Sequence, residues 1–150
     1  MSNSYIDIDG QQRPTTNSLG QPIHHTEEGI RNFYQWFGES KAIDRKGRPL
    51  VMYHGTHNDI SEFKGNPALG GLIFVSPSAS YAGNFATAKG ANIVPVYVKT
   101  GNMHPKISHA SMEPVIAQNI NYDTFRVKDS SSPNEPINLA VRYSHQLKIS

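Results

Sequence analysis

The residues best suited to chemistry are a histidine and its neighbours in Tyr53-His54-Gly55-Thr56. The apolar run Leu50 to Tyr53 comes directly before His54, so the pattern predicts a buried strand that ends at this histidine. Histidine can donate, accept or exchange a proton near neutral pH. The glycine that follows lets a ligand approach the backbone closely. A lone histidine is nevertheless more often structural, so this motif needs support from elsewhere in the chain.

Other kinds of site are disfavoured by spacing. His24 and His25 are adjacent, and His54 and His57 lie three residues apart, but no HExxH or DxDxDG pattern occurs. We therefore expect no dedicated metal site. The glycine-rich stretch 65–71 lacks the Lys-Ser/Thr ending of a P-loop. GxGxxG and the GxSxG of esterases are also absent from the sequence.

Composition narrows the class of protein further. The chain has 150 residues, which suits one domain, and it has no cysteine, which excludes thiolate catalysis and cysteine-based zinc sites. The net charge is +2 without a run of Lys or Arg, which argues against a module that holds nucleic acid by charge alone but not against an enzyme that acts on RNA. No apolar stretch is long enough to span a bilayer, so we expect no membrane partner.

One helix is predicted at residues 27–37. Thr26 is a suitable N-cap, Glu27 and Glu28 complement the helix dipole, and Gly38 is a plausible stop. Apolar and aromatic residues recur at helical spacing along one side, which indicates a face buried in the core.

The other predicted elements are short strands and turns. A turn over 45–49 leads into the strand before His54, and Pro95 places the strand at 93–99 on an edge or at a bulge. We expect an α+β fold of short strands with two or three helices. Residues 1–25 are polar and predict a flexible or loosely packed arm, followed by one domain over 26–150. The remaining predicted strands are 72–75, 124–128 and, as the last, 137–143; the remaining helices are 78–88 and a short one over 113–118.

Two ordered blocks of residues resemble ADP-ribosyltransferase domains of phage polyvalent proteins and bacterial polymorphic toxins. The first block consists of the helix end from Asn32 to Lys41, followed by the segment from Gly47 to Thr56. Many of its positions agree with the family in the same order, which makes the block specific. The second runs from Phe74 to Ala86 and is looser, and Val94 to Val98 is similar to the next core strand of the family. The resemblance covers about residues 30–150 and implies a split β-sandwich.

The resemblance implies a binding site for NAD as co-substrate, with no metal. His54 would bind a ribose hydroxyl, and Gly55 would offer backbone groups to the nicotinamide carboxamide. Phe74 would stack on the nicotinamide ring, and Ser76 would help to fix the ribose. Aromatic stacking suits a flat cationic ring. The other residues implied at the cofactor site are Tyr53, Thr56, Tyr81 and Phe85.

The third catalytic position is where this sequence departs from the family. Relatives commonly have Glu or Gln at the start of the last strand, and that position here is Asn138, with Glu135 three residues earlier. An asparagine can form hydrogen bonds but cannot act as a base. Three accounts remain: Glu135 takes the role, Asn138 suffices for an acceptor that is already nucleophilic, or transfer activity has been lost.

The resemblance implies a mono-ADP-ribosyltransferase that modifies a macromolecule, either protein or nucleic acid. A toxin or effector role would imply action in a cytoplasm, with secretion or injection as part of a larger protein and an immunity protein as a partner. Asn121-Tyr122-Asp123 and Arg126 are candidates for an acceptor site, although ordinary loop and strand roles also explain them. The alternatives are an NAD glycohydrolase, an inactive NAD-fold binding domain and a small RNA-binding domain.

Overall fold

The helix predicted at 27–37 is present with those bounds. The computed structural model describes residues 4–56, 71–79, 82, 92–109, 118–128 and 137–150. Helix α1 spans Glu27–Phe37, and the Thr26 side chain caps it by accepting from the Gly29 amide at 3.0 Å. Gly38 ends the helix with a φ of 56°, a conformation that glycine adopts at little cost. Local signals were sufficient here because both caps and the apolar stripe agree.

The described part of the chain also contains nine strands. A two-stranded hairpin joins β1 and β2, a three-stranded sheet has the order β3-β5-β9, and a four-stranded sheet has the order β4-β8-β7-β6. All sheet pairs are antiparallel except β6 with β7. The bounds are β1 Tyr5–Ile8, β2 Gln11–Pro14, β3 Met52–Thr56, β4 Ile73–Val75, β5 Asn92–Val98, β6 Met103–His109, β7 Thr124–Lys128, β8 Asn138–Val141 and β9 Leu147–Ile149.

The two larger sheets share one apolar core, which we call the inter-sheet core. Met52, Val96 and Val98 of the three-stranded sheet meet Val75 and Val141 of the four-stranded sheet in this cluster. Helix α1 packs on the outer face of the three-stranded sheet. A third cluster, the outer cluster, covers the opposite face of the four-stranded sheet and is formed by Leu72, Phe125, Val127 and Ala140. The architecture is therefore α+β and mostly strands.

Residues 4–25 are more closely integrated than the expected flexible or loosely packed arm. They form the β1–β2 hairpin, and Asp9 and Gly10 both have positive φ values in its two-residue turn. Asn17 is buried and its side-chain amide donates to the Tyr97 hydroxyl at 3.1 Å. The polar composition is misleading here because Asp7, Asn17 and Ser18 accept from backbone amides and so fix turns and connections, while most other polar side chains of the segment stay exposed.

Two expectations about strands were wrong. Strand β5 is central and not an edge, and Pro95 is accommodated because it lies one residue beyond the register of β5 with β9, which begins at Val96↔Ile149. The strand predicted over 137–143 is also not the last one. It stops at Val141, and a 3₁₀ turn at Ser144–Gln146 leads into β9.

The helix count can be tested only in part. Of the two or three helices expected, α1 is complete, and a second begins after Ser78, where the Ala82 amide donates to the Ser78 carbonyl at 3.0 Å. The rest of the predicted 78–88 helix and most of the 113–118 helix lie outside the described residues.

Candidate active site

The candidate site is built where the two larger sheets touch. The Tyr53 amide donates to the Ser76 carbonyl at 2.7 Å, and the Ser76 amide returns a bond to the Tyr53 carbonyl at 2.9 Å. This pair is an isolated bridge and not part of a longer ladder among the described residues. Strands β3 and β4 therefore join at one point and leave a split beside it.

Gly55 presents its backbone to this split. In an antiparallel ladder, successive residues direct their backbone groups alternately to one neighbour and to the other. Because Tyr53 directs its amide and carbonyl toward Ser76, Gly55 directs its own toward the same side. A small flat amide placed in the split could pair with both groups, as in a strand ladder.

His54 lies between Tyr53 and Gly55, inside strand β3 and not at the end of the strand. Its Cα partner is Val94, which packs against the inter-sheet core, so the imidazole lies on the side that faces the other sheet. The ring Nδ1 is 2.7 Å from the Phe74 carbonyl oxygen. A carbonyl can only accept, so Nδ1 carries the proton, and in the neutral ring Nε2 is an acceptor.

Burial lowers the pKa of His54 below its ordinary value, and the hydrogen bond to the Phe74 carbonyl opposes this effect only in part. The imidazole is therefore neutral at neutral pH. A neutral ring is suited to a site for a cationic nicotinamide, since a second positive charge would repel it.

The pKa of His54 predicts how stability depends on pH. The unfolded chain takes up a proton at His54 near pH 6.5, whereas the folded chain takes it up only at lower pH. The stability contributed by the neutral ring is therefore complete above pH 6.5 and is lost as the pH falls toward the folded pKa. We expect the Tm of the wild type to fall more steeply below pH 6.5 than that of His54→Gln, measured by calorimetry. Parallel curves would contradict a lowered pKa.

Asn138 and Ser76 come together on the neighbouring strands. Phe74 pairs with Ala140 and Val75 with Leu139, so the same register continued by one residue brings Ser76 opposite Asn138. Both side chains are fully buried. The side-chain nitrogen and oxygen of Asn138 have no hydrogen-bond partner among the described residues, although such buried groups are normally satisfied. An unsatisfied amide at the point where the sheets join is consistent with a position that meets a ligand.

Phe74 and Tyr53 take different positions from His54. The Phe74 ring packs, partly buried, against the outer cluster, while its carbonyl binds the histidine. The Tyr53 ring packs beside α1, so its contribution at the split comes from its backbone. The side chain of Thr56, together with Tyr81, Phe85 and Glu135, lies outside the described residues, and the roles implied for these residues stay predictions.

The acceptor candidates from the sequence have mixed positions. The Asn121 and Tyr122 carbonyls accept from the Asn102 and Arg142 side chains, and Asp123 binds the Thr124 hydroxyl, so these three residues support loops. Arg126 is different, because its buried Nε has no partner among the described residues.

The structure also contains a buried polar centre that the sequence analysis missed. The Gln146 side chain accepts from the Arg142 and Tyr143 amides and donates to the Lys99 carbonyl and the Thr124 hydroxyl. It fixes the start of β9 to both larger sheets. The bonds to the Arg142 and Tyr143 amides are local to the 3₁₀ turn, but the sequence carries no signal of the bonds to Lys99 and Thr124, which depend on the tertiary fold.

Comparison with known proteins identifies the class. The family model of the ADP-ribosyltransferases in polyvalent proteins matches residues 44–148, which include β3 to β8, the first two residues of β9 and the candidate site. The chain belongs to this family, and the enzyme class is therefore ADP-ribosyltransferase. No curated protein and no solved structure matches the chain.

The described residues also bear on metal and membrane partners. Within the described ranges, no three His, Asp or Glu side chains come together in a group that could hold a metal ion. None of the helices described here is long and apolar enough to cross a membrane.

Proposed function

We propose that this domain binds NAD at the split between β3 and β4 and transfers its ADP-ribose to a macromolecule. The observation that carries the proposal is the arrangement of His54, Gly55 and Asn138 around the Tyr53–Ser76 bridge, in a chain of the ADP-ribosyltransferase family. A toxin or effector role in a cytoplasm, with an immunity protein as partner, is part of the same proposal.

The Gly55 backbone would hold the leaving nicotinamide, and the His54 ring would hold the ribose to which it is bonded. The Gly55 amide and carbonyl face the split and match the acceptor and donor of a carboxamide. The neutral His54 ring accepts at Nε2 and would bind a ribose hydroxyl. Phe74, Ser76, Tyr53 and Thr56 follow from the family resemblance, as do Tyr81 and Phe85.

The reaction expected of this class is displacement at C1′ of the nicotinamide ribose. The bond to nicotinamide breaks ahead of the new bond, so positive charge develops on the sugar, and the electron pair leaves with neutral nicotinamide. Fixed dipoles that face the ribose lower the energy of such a transition state. The carboxamide oxygen of Asn138 supplies one dipole of this kind, without the full charge of a carboxylate.

The absence of a carboxylate at position 138 restricts the acceptor. Asn138 cannot remove a proton from the acceptor during attack. We therefore infer that the acceptor is already nucleophilic at neutral pH, and that Asn138, not Glu135, fills the third position. On this account Glu135→Gln retains most of the activity.

A labelling experiment tests the proposed function. Cell lysate is incubated with the domain and with NAD labelled in its adenine half, and the products are then treated with nuclease or protease. We expect label in a macromolecular fraction, and the enzyme that releases it identifies the acceptor polymer. Glu135→Gln, run beside the wild type, should label equally well.

Other outcomes of this experiment correspond to the alternative functions. Release of nicotinamide without a labelled polymer would indicate an NAD glycohydrolase. NAD binding without either product would indicate an inactive binding domain. Loss of labelling in Glu135→Gln would assign the third position to Glu135 instead of Asn138.

A further inference from the structure

A cavity of about 300 Å³ lies beside the candidate active site. Its walls include Leu50, Met52, Met103 and Leu139, all of which belong to or pack against the inter-sheet core. The described lining also includes two cations, Lys41 and Arg126, and contains no carboxylate. The cavity is therefore apolar in its walls and positive in its charge.

The strands that carry the candidate active site also line this cavity. Met52 is two residues before His54 and lies on the same face of β3, because alternate residues of a strand share a face. Pro77 directly follows Ser76, and Ile137 directly precedes Asn138. A group held in the cavity would therefore lie on the His54 face of these strands, whereas the Ser76 and Asn138 side chains alternate with the core residues Val75 and Leu139 and lie on the opposite face.

Arg126 has unused hydrogen-bonding capacity here. One guanidinium nitrogen, Nη2, donates to the Pro105 carbonyl at 2.7 Å, but the buried Nε has no partner among the described residues. A buried charged donor without an acceptor is unfavourable unless a ligand completes it. The planar guanidinium is well suited to the paired oxygens of a phosphate.

Charge is unevenly distributed over the fold. The three strands β6, β7 and β8 carry Lys106, Arg126 and Lys128 and contain neither Asp nor Glu. Arg126 and Lys128 share one face of β7, so the cations continue beyond the cavity. Most of the acidic residues in the described ranges lie elsewhere, in the hairpin and in and after α1. Asp123, Asp129 and Glu135 lie in the connections between these strands, so the basic character belongs to the strands themselves.

We propose that the cavity and the β6–β8 cations bind the acceptor, and that the acceptor is single-stranded nucleic acid. This inference rests on the proposed function. The apolar walls would take one base, while Arg126 and Lys128 hold phosphates on either side of it. An acidic peptide fits less well, because an Asp or Glu side chain has too little apolar surface to fill the cavity. The unprotonated ring nitrogens of bases are also nucleophiles that need no general base, in agreement with Asn138.

The test is binding of a fluorescent single-stranded 12-nucleotide oligonucleotide, measured by anisotropy over a range of salt concentrations without NAD. We expect Arg126→Gln to weaken binding about tenfold and to reduce the slope of log K against log salt by about 0.7, the value for one lost phosphate contact. Ile137→Asp, which puts a carboxylate on the exposed rim, should also weaken binding about tenfold.

Matched control variants separate effects of the cavity on binding from general effects of charge and folding. Arg31→Gln removes a cation that pairs with Glu27 on α1, and Ile120→Asp adds a carboxylate at another exposed isoleucine, so both should bind as the wild type does. Oligonucleotides that lack a base at regular intervals, so that every way of binding places an abasic position at the cavity, should bind more weakly than the intact strand.

Three results would overturn the inference. They are wild-type affinity in Arg126→Gln, equal affinity for the abasic strand, and equally effective competition by polyglutamate of matched charge. A separate measurement of NAD binding distinguishes failure of the nucleic-acid inference from failure of the proposed function. Oligonucleotide binding as expected but no NAD binding would refute the NAD site and leave the nucleic-acid site standing.

Discussion

His54→Ala should lower NAD-dependent labelling of the acceptor by about 100-fold or more, the cost typical of losing one fixed polar group that faces developing charge. The substitution removes the acceptor Nε2 and also the donor that holds the Phe74 carbonyl at 2.7 Å. On the proposed function, both NAD binding and the geometry of the split depend on this ring. Initial rates of labelling and calorimetric NAD affinity, measured on the same preparation, provide the test.

His145→Ala is the matched control, because this histidine is exposed on the 3₁₀ turn before β9 and stacks only on Tyr143 among the described rings. It should retain wild-type labelling. If His54→Ala labels as well as this control, the assignment of the site to the split is wrong. A His54→Ala variant that has lost the unfolding transition of the wild type would be replaced by His54→Gln, which keeps a donor near the Phe74 carbonyl.

The sequence predicted those elements whose signals are local. Helix α1 is defined by Thr26, Gly38 and its aromatic face, and β7 is predicted with its observed bounds, Thr124–Lys128. The Asp9-Gly10 turn is also a local signal of a hairpin, but the polar residues around it predict a flexible or loosely packed arm instead. Strand β6 could not be recognised in this way, since Met103–His109 is polar and depends on its parallel partner β7.

The sequence and the family resemblance name residues for the candidate site but not their arrangement. The motif around His54 is visible in the chain, and position 138 follows from the resemblance. The Tyr53–Ser76 bridge joins residues 23 positions apart, and no local pattern specifies it. The direction of the Gly55 backbone, the proton on His54 Nδ1 and the unsatisfied amide of Asn138 all depend on that bridge and its register. The apolar cavity with Arg126 likewise requires both sheets in place.

Asn138→Val should make the protein more stable and less active. Valine suits a strand and removes two buried polar atoms that lack partners, so we expect a gain of about 1–3 kcal/mol in the free energy of unfolding. A gain of 1 kcal/mol raises the Tm of a domain of this size by about 2–4 °C. NAD turnover should fall about tenfold or more, because the polar contact to the ribose is lost. Thermal unfolding and nicotinamide release measure the two effects.

Thr124→Val gives the matched comparison, because Thr124 is equally buried in the same sheet but its hydroxyl is satisfied by Asp123 and Gln146. This variant should lose about 1–3 kcal/mol of stability, since the Gly101 amide loses its acceptor and Asp123 and Gln146 each lose a hydrogen bond. A loss of stability in Asn138→Val as well would mean that the amide serves the fold and not a ligand. A gain of stability with full turnover would mean that position 138 has no part in catalysis. Only a stabilised and impaired Asn138→Val, beside a destabilised Thr124→Val, fits an amide that the fold leaves unsatisfied for its substrate.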